Sequence, residues 1–158
     1  MTESHQLQAP SSGASSRMSK VRQTGTGTEL ALRKELHKSG LRCRINFCVM
    51  NKPRRIADIA FPRLKIAIFV DGCFWHGCPE HATWPKHNGE FWQQKIKANQ
   101  LRDADTNERL QRNGWTVLRF WEHESPIQAA GIIAHMIRVV RTSSDTSKIG
   151  AHQNVCAG

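Results

Sequence analysis

An α/β fold, a mixed sheet with helices on its faces, is predicted by three features of this sequence. Three short apolar segments follow one another between residues 41 and 70, separated only by turn residues. A long helical pattern then intervenes before a fourth strand-like run, "WTVLRFW". Helical patterns also open and close the ordered part, so the element order is α-β-β-β-α-β-α. Three adjacent strands make a meander, and a fourth that returns after a helix joins the same sheet by a crossover.

The first helix is predicted in "TELALRKELHKSG", with Thr28 as N-cap, Leu32 and Leu36 on one face and Gly40 as the stop. "LRCRINFCV" alternates: Leu41, Cys43, Ile45, Phe47 and Val49 share one side of a half-buried strand. "NKPRR" is a turn, "IADIAF" a short strand with Asp58 at its centre, and "PRL" a second turn. "KIAIFV", 65–70, is a continuous apolar run of the buried-strand type. A long helix is expected over about 89–113, with Phe91, Ile96 and Leu110 among its apolar positions and Gly114 after it. "SPIQAAGIIAHMIRVVR" starts with Ser125 as N-cap and Pro126 at the first helical position, a final amphipathic helix.

The 158 residues suit one domain, expected over 18–141. Residues 1–17 are rich in Ser, Gln, Gly and Pro and read as a disordered tail, and 142–158 read as a flexible one. Met18 opens "MSKVR", a plausible alternative start. No run approaches the about 18 apolar residues that cross a bilayer, and no secretory signal pattern opens the chain, so a cytoplasmic protein without a membrane partner is expected. A monomer is expected as well. Twenty-three Lys and Arg against 13 Asp and Glu give +10, and because both tails are neutral the central domain carries all of it. That charge suits a polyanionic partner, or else a solubilising surface. Five cysteines without an export signal favour metal binding or buried thiols over a disulfide framework.

The chemistry concentrates in "DGCFWHGCPEH", 71–81. Cys73, Cys78 and His81 put three zinc-seeking groups within nine residues, and a tetrahedral site needs a fourth. If "VLRFW" pairs in parallel with 65–70, His123 arrives beside this loop and completes a structural zinc site. The same residues can also be read as core thiols beside surface histidines. Cys43 and Cys48 fall on opposite faces of one strand and make poor joint ligands; Cys43 reads as core packing. His76 lies between the cysteines and could be a ligand, but a zinc with four protein ligands is closed, so catalysis needs other groups, and His76 is assigned to chemistry. Asp58, inside an apolar strand, needs a cation or a buried donor as partner; capping a turn is the plainer reading.

"VDGCFWHGCP", "WPK", "EFWQQKIKANQLRD", "GWTVLRFWEHE" and "TELALRKEL" together resemble the Vsr very-short-patch repair endonucleases, in order over roughly residues 18–125. The resemblance implies a restriction-endonuclease-like fold and a Mg2+-dependent enzyme that nicks double-stranded DNA 5′ of the mispaired T of a T·G mismatch. Such mismatches arise by deamination of 5-methylcytosine, so a cytosine-5 methyltransferase is the implied companion. It places the metal-binding acid on Asp58, the general base on His76, a helix glutamate on Glu29 and a helix aspartate on Asp103. The first zinc cysteine falls on Cys73 and the last zinc ligand, usually Cys, on His123; the middle ligands would be Cys78 and His81 in place of a His-x-Cys pair. Aromatics that wedge into the duplex fall on Phe74, Trp75 and Trp92.

Two places depart from the pattern. The acid and Lys of the wider nuclease superfamily are replaced by Val70 and Gly72, so a metal contact at Val70 uses its backbone carbonyl. Asp71 stands where a second active-site histidine is usual; it could orient His76 or add a metal ligand. A zinc-stabilised DNA-binding module without catalysis keeps the charge and the aromatics but needs neither Asp58 nor His76. A nuclease of other specificity on the same fold is the third reading.

Overall fold

The computed structural model of the chain describes residues 26–81 and 88–150, with side chains through 143. The expected tail 1–17, the start at Met18, "WPK" and residues 151–158 lie outside the described residues. The elements are α1 (Gly27–Lys38), β1 (Arg44–Asn51), β2 (Arg54–Phe61), a 3-10 turn (Pro62–Leu64), β3 (Ile66–Asp71), α2 (Cys73–His76), α3 (Gly89–Arg112), β4 (Thr116–Trp121) and α4 (Pro126–Gly150). The sheet order is β1-β2-β3-β4; β1, β2 and β3 are antiparallel neighbours and β4 runs parallel to β3. This is the mixed sheet expected from the meander and the crossover, with the single-turn helix α2 added inside the motif loop.

Each face of the sheet has its own core. Leu32 and Leu36 of α1 and Ala129, Ala130, Ile133 and Ile137 of α4 meet Ile59, Ile66, Ile68 and Phe120 on one side. Leu110 of α3 packs on Ala57, Ala67 and Phe69 on the other. Covering both faces explains the unbroken apolar run of β3, whose side chains are buried in both directions. Among the described residues no helix is long and apolar enough to cross a membrane.

Three local expectations change. The N-cap of α1 is Thr26, not Thr28: the Thr26 hydroxyl accepts from the Glu29 N–H at 3.3 Å, the Thr-x-x-Glu form of a capping box. Thr28 instead donates to the Glu122 carbonyl at 2.8 Å. The alternation of 41–49 does not hold to one face: Leu41 and Cys43 pack toward α1 and α4, whereas Val49 packs on the α3 side and Ile45 is exposed. Asn46 has φ +47° and the β1–β2 register shifts between Cys48 and Met50, and each irregularity breaks the period of two. Finally, α4 continues past Arg141 to Gly150, since no Pro or Gly intervenes to stop it.

Candidate active site and metal centre

The parallel register of β3 and β4 sets Asp71 opposite Trp121, so the loops after both strands leave from one edge. The Glu122 N–H donates to the Asp71 carbonyl at 3.0 Å, continuing the ladder one step beyond the sheet. The chain then turns at Gly72 into α2. Its only turn is closed by Gly77, at φ +66°, with the Cys78 N–H on the Cys73 carbonyl at 2.9 Å. A Cβ at Gly77 would lie 2.8 Å from the Gln100 amide and 2.9 Å from Ile96, so close packing on α3 and the left-handed backbone both require glycine. Asn99 and Gln100 of α3 donate to the carbonyls of Trp75 and His76 at 2.8 and 3.1 Å.

That turn gathers Cys73, Cys78, His81 and His123, whose ligand atoms all lie within 4.8 Å of one another. His123 Nδ1 is 3.1 Å from the Cys73 Sγ and 3.8 Å from the Cys78 Sγ, and His81 Nδ1 is 3.9 Å from the latter. Tetrahedral zinc with ordinary bond lengths separates sulfur and nitrogen ligands by about 3.5 Å. Both cysteines are buried. Burial, and then the neighbouring Cys78, push the Cys73 thiol up to about 11, so a thiolate there needs a cation. The donor set and its spacing fit zinc.

His76 points the other way. Its Nδ1 lies 2.5 Å from Asp103 Oδ2 and 3.8 Å from Asp71 Oδ1. Burial alone would lower the His76 pKa, but the Asp103 hydrogen bond and the charges of Asp71 and Asp103 outweigh it and hold the imidazole above its ordinary value. Asp103 in turn is held below its ordinary value: burial opposes this, but His76 and Arg119 prevail. The orienting carboxylate is therefore Asp103. Asp71, a candidate for that task in the sequence, is instead bound through both oxygens by Arg119 Nη1 at 2.7 Å.

Asp58 sits where the β2–β3 ladder ends; the last pair is Ile59 with Ile68. Its Oδ2 accepts from the Val70 N–H at 2.8 Å, replacing a backbone acceptor. Burial, reinforced by Glu29 and Asp71, raises its carboxyl to about 6. Glu29 is buried at the start of α1. Glu29 and Asp71 are near enough to raise Asp58 by their charge, Arg119 opposes them, and the Asp58 carboxylate touches the Val70 backbone. An oxygen donor of this kind suits a hard divalent cation.

The aromatics form one cluster. Phe74 lies 5.2 Å from Trp75 and 5.4 Å from Trp92 between ring centroids, and Lys95 Nζ stands 5.5 Å from both indoles. Phe74 and Trp75 are half-buried. Trp92, which the resemblance places among the wedging aromatics, is only 6 % exposed; it lies one turn into α3 and is covered by Phe74, Trp75 and Phe91.

Sequence reasoning missed three supporting residues. Arg119 holds Asp71, Asp103 and Asn107, and a lone arginine in the apolar "VLRFW" was its available signal. Glu122 accepts from the Cys73 N–H at 2.7 Å and Asn99 anchors the turn; both needed the tertiary arrangement to be found.

The model of the DNA mismatch endonuclease Vsr family matches residues 10–81. The chain is 40% identical over 141 residues to the type II nicking enzyme V.NaeI of Lentzea aerocolonigenes, spanning 85% of this chain and 82% of that protein. It is 44% identical over 103 residues to the type II nicking enzyme V.NmeDIP of Neisseria meningitidis serogroup C, 63% and 67% of the two chains. It is 39% identical over 69 residues to the DNA mismatch endonuclease Vsr of Escherichia coli strain K12, 41% and 42% of the two chains.

Proposed function

This chain belongs to the Vsr family of DNA mismatch endonucleases, and from that premise we propose that it nicks one strand of double-stranded DNA on the 5′ side of the mispaired T in a T·G mismatch. The observation that carries the reading is the turn Cys73–Cys78. It bears a half-buried Phe-Trp pair and, on the next residue, a histidine oriented by a carboxylate. Binding alone requires no oriented imidazole, so the arrangement favours an enzyme over a DNA-binding module. The word "nicking" in the names of relatives supports cleavage of one strand.

His76 is the general base in this reading. With Nδ1–H donated to Asp103, Nε2 is free to take the proton of the attacking water. Asp58, with the Val70 backbone carbonyl as a further ligand, would hold Mg2+. Bound there, the ion would supply positive charge for the developing phosphate oxyanion. Cys73, Cys78, His81 and His123 would hold structural zinc and so fix the turn that carries His76. Phe74 and Trp75, backed by Trp92, enter the duplex beside the mismatch. A T·G wobble stacks poorly, which lowers the few kcal/mol that unstacking a step costs. The fold is read as restriction-endonuclease-like, acting as a monomer on chromosomal DNA in the cytoplasm. The mismatch source is 5-methylcytosine deamination, which links the enzyme to a cytosine-5 methyltransferase.

The test is cleavage of end-labelled duplexes carrying T·G, C·G and other mispairs, with Mg2+ and with EDTA. Nicking 5′ of T, confined to T·G and abolished by EDTA, is expected. Equal cutting of C·G duplexes would leave a nuclease of other specificity on this fold.

A further inference from the structure

Asp71, His76 and Asp103 have the composition and spacing of a metal site, yet a fixed side-chain cation already stands over both carboxylates. The geometry points to Arg119 as a positioning residue of the cleavage reaction, one guanidinium that holds Asp103 in place for His76 and keeps Asp71 away from it. This rests on the reading of His76 as the base.

Every nitrogen of the guanidinium is committed. Nη1 binds both oxygens of Asp71 at 2.7 Å, Nη2 binds Asp103 Oδ1 at 3.2 Å, and Nε binds Asn107 at 3.0 Å. The group also lies over the Phe69 ring, 4.6 Å from its centroid, which fixes its plane from a second side. Asp103 is therefore divided: Oδ1 faces Arg119 and Oδ2 faces His76. Asp71 is buried and only 3.8 Å from the same His76 nitrogen. Without Arg119, two carboxylates would compete for one imidazole N–H, and Asp103 would lose the contact that sets its rotation. A planar fork can hold two carboxylates at once; a lysine ammonium is a single point charge and cannot reproduce that geometry.

The experiment compares wild-type zinc-loaded protein with Arg119→Met, Arg119→Lys and the double variant Arg119→Met/Asp71→Asn. Steady-state nicking of a T·G duplex in Mg2+ is read with imidazole 15N NMR of His76. Arg119→Met should lower kcat about 10- to 100-fold while KM stays nearly constant, and the His76 Nδ1–H resonance should shift and broaden as Asp71 and Asp103 share that proton. Arg119→Lys should keep KM and fall short of wild-type kcat. The double variant should stay slow, since removing Asp71 does not restore the hold on Asp103. Wild-type kcat in Arg119→Lys, or full recovery in the double variant, would overturn the proposal: Arg119 would then serve only to neutralise Asp71. If Arg119→Met does not fold, Arg119→Lys decides. A wild-type protein that cuts no mismatch defeats the functional reading instead, and the NMR signature still tests what Arg119 does to His76.

Discussion

The Nδ1 of His76 sits 2.5 Å from Oδ2 of Asp103, joining the turn of α2 to the middle of α3 across 27 positions of sequence. A carboxylate so placed selects the tautomer that leaves Nε2 basic. His76→Ala is expected to lower single-turnover nicking by about 100-fold or more. Asp103→Asn should cost about 10- to 100-fold. Both variants should bind mismatched duplex normally in a gel-shift titration.

The same pair sets the pH dependence. With His76 as the proposed base, the neutral imidazole would be the active form, so the rate should climb with pH and level off above the His76 pKa, which lies above the ordinary 6.5. Asp103→Asn removes the hydrogen bond and the charge that raise it, so the acid limb should move to lower pH even as the plateau falls. A log-rate profile of both proteins measures this; an unmoved limb assigns the ionisation to another group.

As the proposed metal ligand, Asp58 would tie metal binding to stability. Its carboxyl titrates at about 6 in the folded chain against 3.8 ordinarily, so the unfolded state ionises first. The metal-free protein should therefore lose stability as pH rises from about 4 through about 6, on the order of 3 kcal/mol in full. Mg2+ should restore it near neutral pH. Asp58→Asn should flatten the pH dependence, abolish the Mg2+ effect and abolish nicking. Melting temperatures with and without Mg2+ check all three.

Cys73→Ser should cost folding as well as activity, because it removes one of four ligands from a buried cluster. Elemental analysis of the wild-type protein should give about one zinc per chain. A well-folded zinc-free preparation would contradict the site.

Trp75→Ala should weaken binding to a T·G duplex by about 10-fold, with a smaller loss on matched DNA. Trp92→Ala should lower the melting temperature as well, since Trp92 is buried under Phe74 and Trp75. Equal losses on both duplexes for Trp75→Ala would make the ring a packing residue.

The helices were legible from side-chain spacing and stop signals, Leu32 and Leu36 on α1 and Gly114 after α3, and β3 from its unbroken apolar run. The zinc-seeking quartet was legible because three members are local and the fourth follows from one assumption about strand direction, which the β3–β4 register bears out. Arg119 was not legible. Its partners Asp71 and Asp103 lie 48 and 16 positions away, and no periodicity encodes which carboxylate an arginine meets. The role of Asp71, open between orienting His76 and adding a metal ligand, was not legible for the same reason, since only the sheet creates its contact with Arg119. The left-handed Asn46 likewise defeats an alternation that looks regular on paper.

Glu122 and His123 make the site late to assemble. A ribosome emits Asp58, the aromatic pair, His76 and Asp103 before it emits β4, and until then the turn lacks the acceptor for its Cys73 amide and its last soft donor, 50 residues downstream. The β3–β4 pairing is the non-local step of the sheet, the kind that forms slowly. A nascent or truncated chain therefore holds the residues of the turn without the two contacts that β4 brings to Cys73.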